Sequence, residues 1–116
     1  MSSHFEDKSL PFRVTIYTSS HNYAKYLPDA LKSIESQSLK EWELLLFDDG
    51  SSDETAELME QFAKRYPERV RFIQNEKSEG LRSCANRTIE EARGRFVIRL
   101  DADDYFDENA LLVLAS

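Results

Sequence analysis

The chain is short of the residues that disulfide-stapled folds and phosphate-cradling loops depend on. Of its 116 residues one is cysteine, Cys84, and three are glycine. A single cysteine permits no intrachain disulfide, which suits a reducing compartment. With glycine only at positions 50, 80 and 94, there is no G-x-x-x-x-G-K-[ST] loop and no G-x-G-x-x-G loop. A backbone cradle for phosphate is therefore not expected. No His/Cys cluster has zinc spacing, and no G-x-S-x-G nucleophile elbow is present. No apolar run approaches the ~18 residues of a membrane span, and the polar start MSSHFEDKS lacks a signal-peptide pattern.

Positive charge is also scarce. Fifteen Lys and Arg stand against 22 Asp and Glu, a net charge of -7, which argues against a nucleic-acid backbone as partner. It does not argue against a small anionic ligand, provided a divalent cation joins the two. Length fits one small domain, long enough to bury roughly two-thirds of its unfolded surface. The 41% hydrophobic and 32% charged content is ordinary for a soluble globular protein.

What is present is organised around Arg95 to Asp104, RFVIRLDADD. Phe96, Val97, Ile98 and Leu100 read as one short buried strand that runs into Asp101, Asp103 and Asp104. Carboxylates so close repel one another, and a bound cation relieves that repulsion. Mg²⁺ or Mn²⁺ carrying a substrate diphosphate fits this turn. A solvated acidic turn whose aspartates cap the next helix fits the spacing equally.

In chain order, residues 1–11 form a polar leader and residues 12–116 the domain. Arg13 to Thr18 reads as a strand, followed by a polar loop, Ser19 to Asn22. Asn22 is placed to cap a helix carrying Tyr23, Leu27, Ala30, Leu31 and Ile34 at helical spacing, with Pro28 in its first turn. Glu43 to Phe47 is a second strand, apolar from Leu44 as a doubly covered strand should be. Asp48-Asp49-Gly50 ends it. Ser51 and Glu54 have capping-box spacing, with Ser52 an equal start for the box, before a helix with Ala56, Met59, Phe62, Ala63 and Tyr66 on one face, stopped by Pro67. Val70 to Ile73 is a third strand. A loop to Gly80 leads into a third helix with Leu81, Ala85, Thr88, Ile89 and Ala92 as its stripe, closed by Gly94.

This succession predicts an α/β fold, a Rossmann-like βαβ sandwich with a parallel sheet and helices on both faces. Ligands of such sheets sit outside the carboxyl ends of the strands, where the winding direction reverses. The polar turns after strands one, two and four all fall on that edge. There Asp49 could accept from the imide N–H of a uracil-like base, since an ionised carboxylate only accepts. His21 could stack on a base, Ser19 offers a hydroxyl, and Arg82 near a helix start could meet a phosphate. For each, a plain structural role is the alternative: a turn cap, a surface histidine, a strand-end serine, a solvated arginine. Cys84 reads as a small core residue. Residues 110–115, ALLVLA, form an apolar burst, expected to pack on a second copy of the chain or on the remainder of a longer one.

Taken together, IYTSSHNYAKYLPDALKSIESQS, LLLFDDGSSDETAELM and EGLRSCANRTIEEARGRFVIRLDADD resemble family 2 glycosyltransferases of the GT-A fold. The resemblance covers residues 12–110. It implies a truncated GT-A domain with a nucleotide-sugar donor site, in which Asp49 recognises the base, Ser19 and His21 flank it, and Arg82 borders the donor. Asp101 would face the ribose or sugar, and Asp103 would hold the metal of the D-x-D motif. It implies inverting transfer from a uridine diphosphate sugar to a glycan, lipid or other hydroxyl acceptor. The single cysteine suits a cytoplasmic protein, with a peripheral place at the inner membrane face as the alternative. The loop departs from the family's usual Pro-Thr-Tyr-Asn in reading Ser-Ser-His-Asn. Ala85-Asn86 stands where an Arg often precedes the Asn. The acceptor-binding region, where the family's catalytic base resides, is missing, so the base is expected beyond Ser116 and this part alone is not expected to transfer sugar. Two rivals remain: a Mg²⁺-binding phosphoacceptor domain, whose acid pair should close the first strand, and a non-catalytic interaction module.

Overall fold

A computed structural model describes residues 12–22, 24–75 and 80–101. Four strands and three helices alternate: β1 (Phe12–Ser20), α1 (Leu27–Glu35), β2 (Trp42–Asp49), α2 (Thr55–Arg65), β3 (Val70–Asn75), α3 (Gly80–Glu91) and β4 (Gly94–Arg99). The sheet is parallel throughout, in the order β3-β2-β1-β4. The expected α/β sandwich is the observed one.

Alternation along the central strands decides what lies on each face. Val14 and Ile16 of β1 and Leu44 and Leu46 of β2 pack with Leu27, Leu31 and Ile34 of α1 and Met59 and Phe62 of α2. Leu45 and Phe47 point the other way and pack with Cys84 of α3, as Tyr17 does. Every residue of β2 is buried, which explains its unbroken apolar run. Each of these Leu side chains contributes about 1.5–3 kcal/mol of apolar burial. Two helices cover one face and α3 the other, so the winding reverses between β1 and β4.

The carboxylate of Glu43 is fully buried at the opposite end of β2 from the acidic turn. It accepts hydrogen bonds from Thr15 Oγ1 at 2.6 Å and Arg93 Nε at 3.0 Å, and from Arg71 at 3.3 Å. Gly94 joins the same corner, its N–H donating to Thr15 Oγ1 at 2.9 Å. A Cβ on Gly94 would sit 2.5 Å from the Thr15 backbone nitrogen. Glycine is needed here for close approach of two strands. The sequence pattern shows it only as punctuation between α3 and β4.

Several local expectations are corrected. The first helix starts at Leu27, with Tyr26 as its N-cap residue and Pro28 in its first turn. Asn22 does not cap it. It lies at φ 60° and reaches across to the loop after β2. The expected Ser51/Glu54 capping box is absent: α2 begins at Thr55 without a side-chain bond from its N-cap residue. Ile89 is 68% exposed, so it leaves the stripe of α3, which is carried by Cys84 and Thr88. The sequence predicts a buried β4, yet Phe96 and Val97 are 38% and 41% exposed, because β4 pairs only with β1 among the described residues. The leader 1–11, Asp103, Asp104 and the apolar residues 110–115 lie outside the described residues. No helix among those described is long and apolar enough to cross a membrane.

Candidate functional site

The carboxyl ends of β1, β2 and β4 form one edge. Ser20 stands opposite Asp48, and Tyr17 opposite Arg99. The N–H of Leu100 donates to the Tyr17 carbonyl at 3.0 Å, so Asp101 comes level with the end of β1. Asp49 and Asp101 thus share the edge with β1 between them, two strand spacings or roughly 10 Å apart. Asp103 lies outside the described residues, two positions beyond Asp101.

The two aspartates that end β2 point to opposite faces and do different work. Asp48, fully buried, accepts from the Ser51 N–H at 3.2 Å and from Gln74 Nε2 at 3.3 Å. That is the turn-closing role the plain alternative described. Asp49 faces α3. Its Oδ1 accepts from Asn75 Nδ2 and its Oδ2 from the Gly80 N–H, each at 3.2 Å. Gly80, at φ 83°, opens α3, so a carboxylate meets a helix N-terminus and its positive dipole end.

His21 joins the same corner. Its Nδ1 lies 2.7 Å from the Asp49 carbonyl oxygen, and its Nε2 lies 3.4 Å from Asn22 Nδ2. A carbonyl only accepts, so the hydrogen-bond network assigns the proton to Nδ1. Asn22 then clasps the next loop. Its N–H donates to Ser51 Oγ at 2.9 Å, and its Oδ1 accepts from the Ser52 N–H at 2.8 Å. A second tie runs from the Ala24 N–H to Asp53 Oδ2 at 3.2 Å. Asp53 Oδ1 also accepts from the Thr55 N–H and hydroxyl. The Thr55 hydroxyl bond, the largest effect, holds the Asp53 carboxyl below its ordinary value; burial comes next and opposes it, and the amides of Thr55 and Ala24 add to the lowering.

Ser19 is the last but one residue of β1, in the strand and not in a loop. Its Oγ is 3.5 Å from the buried Cys84 sulfur, which fits the core reading of that cysteine. Asp101 is half exposed and pairs with Arg99 at 3.2 Å, a surface pair worth little in stability. Arg82 is exposed on α3 and lines an open hollow with Ser83, Asn86, Arg87 and Glu90. The structure therefore gathers Ser19, His21, Asp49 and Asp101 on one edge, with Arg82 on the neighbouring helix surface. Sequence reasoning missed Asn75 and Gly80 as partners of Asp49, and the clasp from Asn22 to Ser52. The family-like spacing of Asn22 and Ser51–Asp53 carried no sign of which loops would touch.

Hard oxygen donors of this kind suit Mg²⁺ or Mn²⁺. Among the described residues no group of three or more His, Cys, Asp or Glu side chains is placed to hold a metal. Of Asp101, Asp103 and Asp104, Asp101 alone is among the described residues.

A parallel sheet wound in this order, with acidic strand ends at its switch point, is an α/β domain, and its likeness to solved structures gives the type as the GT-A fold. The chain belongs to the family described as Glycosyl transferase family 2, whose pattern matches residues 15–116. It is 36% identical over 92 residues to the putative glycosyltransferase EpsE of Bacillus subtilis (strain 168), covering 79% of this chain and 33% of that protein. It is 33% identical over 98 residues to chondroitin synthase of Escherichia coli, covering 84% of this chain and 14% of that one. Among solved structures, S. aureus TarS 1-349 in complex with UDP superposes with a TM-score of 0.79 at 26% identity, covering 90% of this chain and 31% of that one. The mannosyltransferase PcManGT from Pyrobaculum calidifontis, in complex with GDP-Man and Mn²⁺, matches with a TM-score of 0.76 at 21% identity, covering 95% of this chain and 35% of that one, and so speaks to the fold alone. The chain spans about a third or less of these proteins.

Proposed function

We propose that this chain is the donor-binding part of a glycosyltransferase that uses a uridine diphosphate sugar, with inversion at the anomeric carbon. The observation that carries the reading is the position of Asp49: an anchored carboxylate at the switch-point edge, next to His21 and on the same edge as Asp101. A carboxylate has about four acceptor sites, so it can accept from inside the chain and from a ligand N–H together. Asp49 reads the imide N–H of uracil, the His21 ring lies against the base, and the Ser19 hydroxyl bonds nearby. Asp101 faces the ribose or sugar, and Arg82 borders the diphosphate from the start of α3. Asp103 is the residue assigned to hold Mg²⁺ or Mn²⁺. A divalent ion there supplies charge neutralisation for the departing diphosphate and a template for its oxygens.

The acceptor is a glycan, lipid or other hydroxyl compound, whose hydroxyl gives its proton to a general base. The single buried cysteine, Cys84, suits a cytoplasmic setting for this reading. Support comes from family membership and from the likeness to TarS with bound UDP. The test is Asp49→Asn in calorimetry with uridine and cytidine diphosphates. Loss of preference for uridine supports the role of Asp49, and equal weakening for both bases contradicts it.

A further inference from the structure

Two consecutive amides end β3, and they meet the two consecutive aspartates that end β2. Gln74 Nε2 reaches Asp48 on one face of the sheet, at 3.3 Å, and Asn75 Nδ2 reaches Asp49 on the other, at 3.2 Å. The register pairs the same residues, Asp48 with Gln74 and Asp49 with Asn75. Both carboxylates have each oxygen held, Asp48 by Gln74 and the Ser51 N–H, Asp49 by Asn75 and the Gly80 N–H. The Asp49 side differs in facing α3, whose first amide is that second donor, and in having its own carbonyl held by His21.

A carboxylate can rotate about its last side-chain bond, a broad and soft torsion. One donor on each oxygen removes that freedom and sets the plane in which further donors must approach. The Gly80 amide is tied to the start of α3 and cannot adjust alone. Asn75 is the side chain that completes the clamp from the other direction. It is neutral and donates, so it holds one Asp49 oxygen as an acceptor.

We infer that Asn75 is a positioning residue that sets base selectivity by fixing the plane of the Asp49 carboxylate. This rests on the reading of Asp49 as the group that recognises the base. Uracil presents an N–H at the ring position where cytosine presents a lone pair. An ionised carboxylate in a fixed plane favours the first and repels the second. A carboxylate free to turn still accepts, with poorer alignment, and discriminates less. Gln74 makes an equivalent bond to Asp48, which faces away, so it has no part in selectivity.

The experiment measures the ratio of uridine to cytidine diphosphate affinity, with Mn²⁺ present, for the 116-residue chain and four variants. Asn75→Ala is expected to lower the ratio about three- to tenfold, the size of one misaligned hydrogen bond. Asn75→Asp keeps the size and replaces the donor by an acceptor, so it lowers the ratio at least as far. Gln74→Ala leaves the ratio unchanged, which separates positioning from general support of the strand. Asp49→Asn abolishes the preference. An unchanged ratio in both Asn75 variants, with the preference lost in Asp49→Asn, overturns the positioning role and leaves the base reading intact. An unchanged ratio in Asp49→Asn removes the base reading and this inference with it.

Discussion

His21 Nδ1 and the backbone carbonyl of Asp49 lie 2.7 Å apart, joining the end of β1 to the end of β2 across two residues 28 apart in sequence. The bond fixes one edge of the imidazole to the neighbouring strand and so sets where its face can lie. A ring held by its edge offers a flat surface for a base at low entropic cost, because its rotamer is already chosen.

His21→Ala should therefore weaken uridine and cytidine diphosphates alike. Every base has a π-face, so the lost stacking is indifferent to ring substituents. A loss of about fivefold or more is expected for each, on the scale of one base stacked on one aromatic group. Calorimetry with both nucleotides checks this. Base-selective weakening would instead place His21 among the groups that read the ring edge.

Gly94→Ala tests the corner at the other end of the sheet. The added methyl would meet a backbone nitrogen at 2.5 Å, and β1 and β4 cannot separate without disturbing the bond from Gly94 N–H to Thr15. The expected cost is about 2 kcal/mol or more, read in thermal unfolding as a drop of roughly 10 °C. A variant as stable as the parent would mean that β4 is less firmly docked than the register implies.

Asp53 gives the fold a pH dependence of known sign. Its carboxyl is held below the ordinary value of 3.8, chiefly by the Thr55 hydroxyl. A depressed carboxyl stabilises the folded chain above its unfolded value, and that contribution is lost as pH falls through the folded one. Asp53→Ala should be less stable than the parent near neutral pH, and the gap should close on acidification below 3.8. Urea unfolding at several pH values reads it directly. A gap that persists at the acid end would show that the Asp53 loop tie does not depend on charge.

The order of elements was legible in the sequence because each strand has a short apolar run, with β-branched residues in β1, β3 and β4, and each helix carries a 3.6-residue stripe. The edge that carries the candidate site followed from topology, since the turns after three strands fall on it. What could not be read was the pairing between loops. Asn22 has the residue type of a helix cap, yet it bonds Ser51 and Ser52, since the chain turns away before α1 begins. Asp48 and Asp49 look interchangeable in sequence, and only the pleat sends one to the turn and the other to α3. Ile89 fits the helical stripe, but α3 rests on the sheet through Cys84 and Thr88, leaving Ile89 outward. Gly94 showed as a helix stop, whereas its need is steric and lies 79 residues away at Thr15.

The central claim is that an acidic edge holds an anionic donor through a shared divalent ion. Calorimetric titration of uridine diphosphate into the 116-residue chain, with and without Mn²⁺, and into Asp103→Ala, tests it most directly. The account predicts binding that requires Mn²⁺ and weakens by about tenfold or more in the variant, the loss of one metal ligand. Equal affinity with and without Mn²⁺, or an Asp103→Ala chain that binds as the parent does, would contradict it.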